Sequence, residues 1–104
     1  MRPEDLLPEL FPGATGGARM RLLGLLAIVL AFQGSDSATP ASIAALSGCS
    51  DAAIRRDLRS LAALDLIECV RPRGTRASRL RVKENARTKR LLAALMRSFD
   101  LQTG

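Results

Sequence analysis

Two helix starts and one helix stop fall within the twelve residues from Thr39 to Ser50, and that spacing constrains the fold more than any other feature of the chain. Thr39 ahead of Pro40 is a start: the threonine side chain accepts from a free N–H of the first turn, and proline sits where its missing N–H costs nothing. Gly48 is a stop, because glycine adopts the positive φ at which helices commonly end. Ser50 caps a second start. Two short helices follow, about 40–47 and 51–64, joined by a tight turn. Ile54, Leu58 and Leu61 recur at i, i+4 and i+7 and define the buried stripe of the second. Ile43, Ala44 and Leu46 are the core residues expected of the first. The side opposite the stripe carries Ala52, Arg56, Arg59 and Ala63, with Arg55 at its edge.

Upstream, residues 1–18 read as an arm. Pro3-Glu4-Asp5 suits the first turn of a short helix bearing Leu6, Leu7, Leu10 and Phe11. Pro12-Gly13 and Gly16-Gly17 are expected to break the chain. A helix over about 18–32 is apolar nearly all round, which implies burial on more than one side and a second surface to cover it, most simply another copy of the chain. Arg19 and Arg21, the apolar run 22–32 and the small polar stretch 34–38 imitate a secretory signal. Three acids and three prolines precede that run, however, and its eleven residues are too few to span a bilayer. The expectation is a buried core helix and no membrane anchor.

Downstream of Asp65 the pattern turns from helical to alternating. Residues 66–71 read as a short strand, 72–76 as a turn, and 78–83 as a second strand with Leu80 and Val82 facing in and Arg79, Arg81 and Lys83 facing out. A last helix, about 84–100, gathers Leu91, Leu92, Leu95, Met96 and Phe99 on one face. That face is either intrachain core or a dimer seam. It and helix 18–32 carry more apolar surface than one small core covers, which favours a homodimer. The fold class expected is mainly α with a small β-hairpin, in one domain over 19–100 preceded by the arm.

Composition narrows the chemistry. The 104 residues hold no His, and so no His base, triad or metal ligand; two Cys cannot by themselves fill a structural zinc site. With no Gly-rich phosphate loop and no clustered carboxylates, an enzyme is not expected, nor is a cofactor. No Trp and no Tyr leave few platforms for stacking single-stranded bases. The net charge of +6 is concentrated: residues 1–50 sum to −1, whereas residues 71–90 hold nine basic residues against Glu84 alone. Such a field suits a polyanion. Fourteen of the sixteen basic residues are Arg, whose planar fork grips phosphate and guanine edges.

Two short helices about a glycine turn, with Ala44, Gly48 and Ile54 at spacings of four and six, form a helix-turn-helix. A basic hairpin directly after it makes a winged helix-turn-helix. The segment Ser50-Asp51-Ala52-Ala53-Ile54-Arg55-Arg56-Asp57-Leu58-Arg59 resembles the recognition helix of DeoR-type repressors. Leu64-Asp65-Leu66-Ile67 resembles the exit from that helix in bacterial winged-helix regulators, with Asp65 where glycine is usual. Leu10-Phe11-Pro12-Gly13, Arg19-Met20-Arg21-Leu22-Leu23 and Val82-Lys83-Glu84-Asn85 are similar to segments of short ArsR-like regulators. The resemblance spans about residues 10–99 and implies a commonly dimeric domain that reads double-stranded DNA; two Cys in such a basic binder point to free thiols in a reducing cytoplasm. The sugar-effector domain of the first family and the Cys/His metal boxes of the second have no counterpart here.

On that footing helix 51–64 enters the major groove, and Ser50, Ala52, Arg55, Arg56 and Arg59 face DNA, with Arg55 or Arg56 on guanine O6/N7. Arg73, Thr75, Arg76 and Arg79, in the wing 71–79, meet the backbone or minor groove. Cys49 stands where such regulators carry a buried Val and is expected as a small core residue; Cys69 is expected half-buried on its strand. The expected function is a dimeric transcriptional regulator. Two alternatives keep the fold: a protein-interaction adaptor docking through the leucine arm 6–11, and a plasmid or phage replication or partition factor.

Overall fold

Three side-chain caps set the first three helices. A computed structural model describes residues 8–71, 73, 74 and 78–103, with side chains described as far as residue 94. Residues 8–10 are helical. The N–H of Ala18 donates to Thr15 Oγ1 (3.3 Å), that of Ser42 to Thr39 Oγ1 (3.2 Å) and that of Ala53 to Ser50 Oγ (3.1 Å). They open α1 (Gly16–Phe32), α2 (Pro40–Ser47) and α3 (Asp51–Ala63). Gly16 and Gly17 therefore begin α1 instead of breaking the chain. N–H groups of a first turn lack intrahelical partners in any case, and Thr15 supplies one.

A hairpin of β1 (Ile67–Val70) and β2 (Arg79–Val82) follows, then α4 (Ala86–Thr103). The strands are antiparallel, with Ile67 opposite Val82 and Cys69 opposite Leu80. Those four side chains share one side of the hairpin, and Glu68, Val70, Arg79 and Arg81 share the other. The outer edge of β2 is not left bare. Leu80 N–H donates to Ala38 C=O (2.7 Å) and Val82 N–H to Gln33 Oε1 (3.0 Å), so the α1–α2 connection covers it. Asn85 and Thr88 cap α4 reciprocally: Thr88 N–H donates to Asn85 Oδ1 (3.0 Å) and Asn85 N–H to Thr88 Oγ1 (3.1 Å). Glu84 consequently lies outside the helix.

The core is one cluster drawn from every element. Leu22, Leu25, Leu26 and Val29 of α1 meet Ile43 of α2, Leu58 and Leu61 of α3, Leu80 of β2 and Leu91 of α4. Leu10 and Phe11 are fully buried in the same cluster, so this part of the arm belongs to the domain. Leu6 and Leu7 of the arm, and Leu95, Met96 and Phe99 of α4, lie outside the residues or side chains described. Leu46, expected in the core, is 66 % exposed. The buried direction of α2 runs between Ile43 and Ala44, and a residue at position 46 points roughly 110° away from it. No helix among the described residues is long and apolar enough to cross a membrane.

Both ends of α3 turn on a left-handed residue. Gly48 (φ 70°) ends α2, with the N–H of Cys49 donating to Ala44 C=O at 3.2 Å. Asp65 (φ 63°) ends α3 in a Schellman motif: Leu66 N–H donates to Leu61 C=O and Asp65 N–H to Ala62 C=O, each at 3.0 Å. Asp65 is the one non-glycine residue with positive φ among those described. Its Oδ1 accepts from Lys83 Nζ at 2.6 Å, and its carbonyl from Asn85 Nδ2 at 2.6 Å, which ties the end of α3 to the start of α4.

Both Asp65→Gly and Asp65→Ala lose the carboxylate, but only alanine carries a Cβ into the left-handed region. Asp65→Ala should be about 1 kcal/mol less stable than Asp65→Gly in urea unfolding. Equal stabilities would mean that the backbone at 65 relaxes. The hydrogen bond from Lys83 to Asp65, and then their mutual attraction, raise Lys83 above its ordinary 10.5. The folded chain thus holds this proton more tightly than the unfolded one. The pair's contribution is complete below pH 10.5 and is lost as pH rises past that value. Wild-type stability should accordingly converge on that of Asp65→Asn in strongly alkaline urea titrations.

Candidate functional site

With Ile54, Leu58 and Leu61 turned inward, α3 presents Ala52, Arg55, Arg56 and Arg59 to solvent. These positions, i, i+3, i+4 and i+7, form one stripe, headed by Ser50 at the N-cap. The α2–α3 turn sets the start of the helix, and this stripe lies on its solvent side.

The three arginines differ in how they are held. Arg55 Nε lies 2.7 Å from Asp51 Oδ2, an i,i+4 pair with both partners exposed. Arg56 Nε lies 3.5 Å from Asp57 Oδ1, while the other oxygen of that carboxylate takes Arg21 Nε of α1 at 2.7 Å. Arg59 forms no ion pair among the described residues. Asp57 is the residue that sequence reasoning placed least well. The sequence pattern does not single it out, yet its side chain is 6 % exposed and pairs with Arg21 of α1. An acid three residues after Ile54 and four before Leu61 sits beside the apolar stripe, and a carboxylate there demands a cation from a neighbouring element. Arg21, on a helix otherwise almost free of charge, was the available signal.

The charged residues of the two strands share one side of the hairpin. Arg81 meets Glu68 at 2.6 Å on the side away from α3. Arg79, expected at the DNA surface, lies on that same side; its side chain is 19 % exposed and its Nη2 is 3.4 Å from Asp36 Oδ1 of the α1–α2 loop. Strand alternation puts it there, since its neighbour Leu80 points to the core. Arg79 is thus separated from the α3 stripe. Arg73 is exposed beside Gly74 (φ 79°) in the turn. Thr75 and Arg76 lie outside the described residues.

Neither cysteine is where it was expected. Cys49 is exposed, because the left-handed Gly48 carries the chain outward while Ala44 and Ile54 fill the core behind the turn. Cys69 is exposed as well, although it shares the inward side of the hairpin with Ile67 and Leu80. Both are free thiols. Among the described residues no three His, Cys, Asp or Glu gather as a metal site, and no buried side-chain nitrogen or oxygen lacks a hydrogen-bond partner. No protein family, no curated protein and no solved structure matches the chain.

Because Asp57 is buried and Asp51 is not, the two ion pairs on α3 should differ in strength. A double-mutant cycle of Arg21→Ala and Asp57→Ala in urea should give a coupling of about 1–2 kcal/mol. The cycle of Asp51→Ala and Arg55→Ala should give no more than about 0.5 kcal/mol. Equal couplings would show that burial adds nothing at Asp57.

Proposed function

We propose that this chain is a winged helix-turn-helix protein that binds double-stranded DNA and acts as a dimeric transcriptional regulator. The observation that carries this reading is the outward stripe of α3, with Ala52, Arg55, Arg56 and Arg59 exposed together on a helix capped at Ser50 and preceded by a tight turn. Nothing in the core needs these arginines. A small residue at 52 leaves room for a base edge, and flanking guanidinium groups suit guanine O6/N7 and phosphate. The hairpin that follows, with exposed Arg71 and Arg73, extends the basic surface past the end of α3.

The ion pairs on α3 suit reversible binding. Exposed or shared partners such as Asp51 and Asp57 hold Arg55 and Arg56 in place and release them to a stronger anion at little cost. Arg56, at 3.5 Å from an already shared carboxylate, is the more easily released of the two. A second copy fits the exposed side of α1, where Met20, Gly24, Ala27 and Ala31 stand uncovered. The adaptor alternative loses much of its docking segment, because Leu10 and Phe11 are buried in their own core.

The test is selection from a random duplex pool by the purified chain at about physiological salt, where non-specific phosphate binding is suppressed. An enriched inverted repeat with half-sites about one helical turn apart is expected; an unenriched pool overturns the reading. Against the selected site, Arg56→Ala should cost roughly 1–3 kcal/mol and relax base preference. Arg73→Ala should weaken all duplexes alike and flatten the salt dependence by about one unit of slope.

A further inference from the structure

Between the C-terminal half of α3 and the inward side of the hairpin runs a groove of about 220 Å³. Leu58, Ile67 and Leu80 form its floor, and all three are buried beneath it. Arg55 and Arg59, both exposed, stand at its rim, and the exposed thiol of Cys69 lies along its wall. The groove therefore pairs an apolar base with a cationic edge. Glu68 is the one acid in its lining, and its carboxylate is already bound by Arg81 at 2.6 Å. Arg59 has no ion pair among the described residues, so the edge attracts an anion and the floor excludes a highly hydrated one.

Size and shape narrow the occupant. The volume is below the ~300 Å³ at which pockets for drug-sized ligands begin, and it suits a molecule of one or two rings. The gap lies between a helix and a strand pair, so a rigid ring buries apolar area there at less entropic cost than a flexible chain. A guanidinium fork takes a carboxylate through two parallel hydrogen bonds and also packs against ring faces.

We propose that this groove binds a small aromatic carboxylate, its ring on the Leu58–Ile67–Leu80 floor and its carboxylate on Arg59 with Arg55 beside it. On the DNA-binding reading above, the ligand occupies an arginine that phosphate would otherwise hold, and so it lowers affinity for duplex.

Cys69 reports occupancy without DNA, and Cys49, exposed in the α2–α3 turn, serves as the internal control. The full chain is labelled with maleimide while 2-naphthoate is titrated, and the two cysteine peptides are followed separately by mass spectrometry. Saturating 2-naphthoate should slow labelling of Cys69 severalfold and leave Cys49 unchanged. The neutral 2-naphthamide should need about tenfold more for the same protection, the difference expected of a charge-assisted contact. Arg59→Gln, a change at an exposed position, should raise the half-protecting concentration of 2-naphthoate about tenfold and leave that of 2-naphthamide unaltered. Absence of protection, equal slowing at both cysteines, equal potency of acid and amide, or indifference to Arg59→Gln would each overturn the proposal. Duplex retention is measured in parallel. Protection of Cys69 in a chain that retains no duplex would leave the ligand site standing and remove the DNA reading.

Discussion

The carboxylate of Asp57 sits on the inward flank of α3 and is satisfied from outside that helix, by Arg21 of α1 at 2.7 Å. Apolar contacts resist separation of two helices but resist rotation only weakly, since Ile54, Leu58 and Leu61 can each turn a little against Leu22, Leu25 and Val29. A charged hydrogen bond is directional. It fixes the angle at which α3 lies on α1, and with it the direction in which Ala52, Arg55, Arg56 and Arg59 point. Left-handed residues at 48 and 65 complete the constraint by turning the chain sharply at each end of α3. Asp65 then accepts from Lys83 and Asn85, so the hairpin and the start of α4 are referred to the same helix.

That arrangement divides the basic residues by role. Arg79 and Arg81 are engaged by Asp36 and Glu68 on the side of the hairpin opposite Leu80, and Arg21 is engaged by the buried Asp57. Arg90 meets Glu9 at 3.0 Å, which joins α4 to the helical residues 8–10. A count of charge along residues 71–90 treats Arg79, Arg81 and Arg90 like the other cations there. Folding does not: strand alternation and local acids assign several of them to holding the structure, and the stripe on α3 keeps its cations on the solvent side.

How much of this was legible in the sequence follows from the range of each interaction. Thr39, Pro40, Gly48 and Ser50 act on backbone groups within four residues, so helix starts and stops followed from local chemistry. Periodicity gave the inward stripe of α3 and the inward Leu80 for the same reason. Gly16 and Gly17 misled because their breaking tendency is overruled by one hydroxyl, that of Thr15. Leu46 misled because hydrophobicity alone does not say which side of a two-turn helix meets the core. Asp57 was the costliest miss: its partner lies 36 positions away, and only the packing of α3 on α1 brings the two together. The same is true of the groove beneath Arg59, whose floor comes from α3 and both strands.

Arginines on one exposed stripe can serve several anions, and the competition among them is set by what each anion already has. Asp51 and Asp57 are covalently part of the chain and always present, so they set a floor on the affinity that an incoming phosphate must exceed. Such a floor weakens binding to isolated phosphates more than binding to a groove that also supplies base edges, because only the latter adds contacts beyond charge. In the proposed DNA-binding role, the ion pairs of α3 thereby favour discrimination over raw affinity. Arg59 escapes this restraint, and it stands at the one place on the stripe where an apolar floor adjoins the charge. On the proposed reading, an anion bearing a ring gains from both and competes with phosphate there, but it gains nothing at Arg56, which lies outside the groove. On the two proposals together, a single helix separates two kinds of recognition by position along its length, one near Ser50 and one near Arg59.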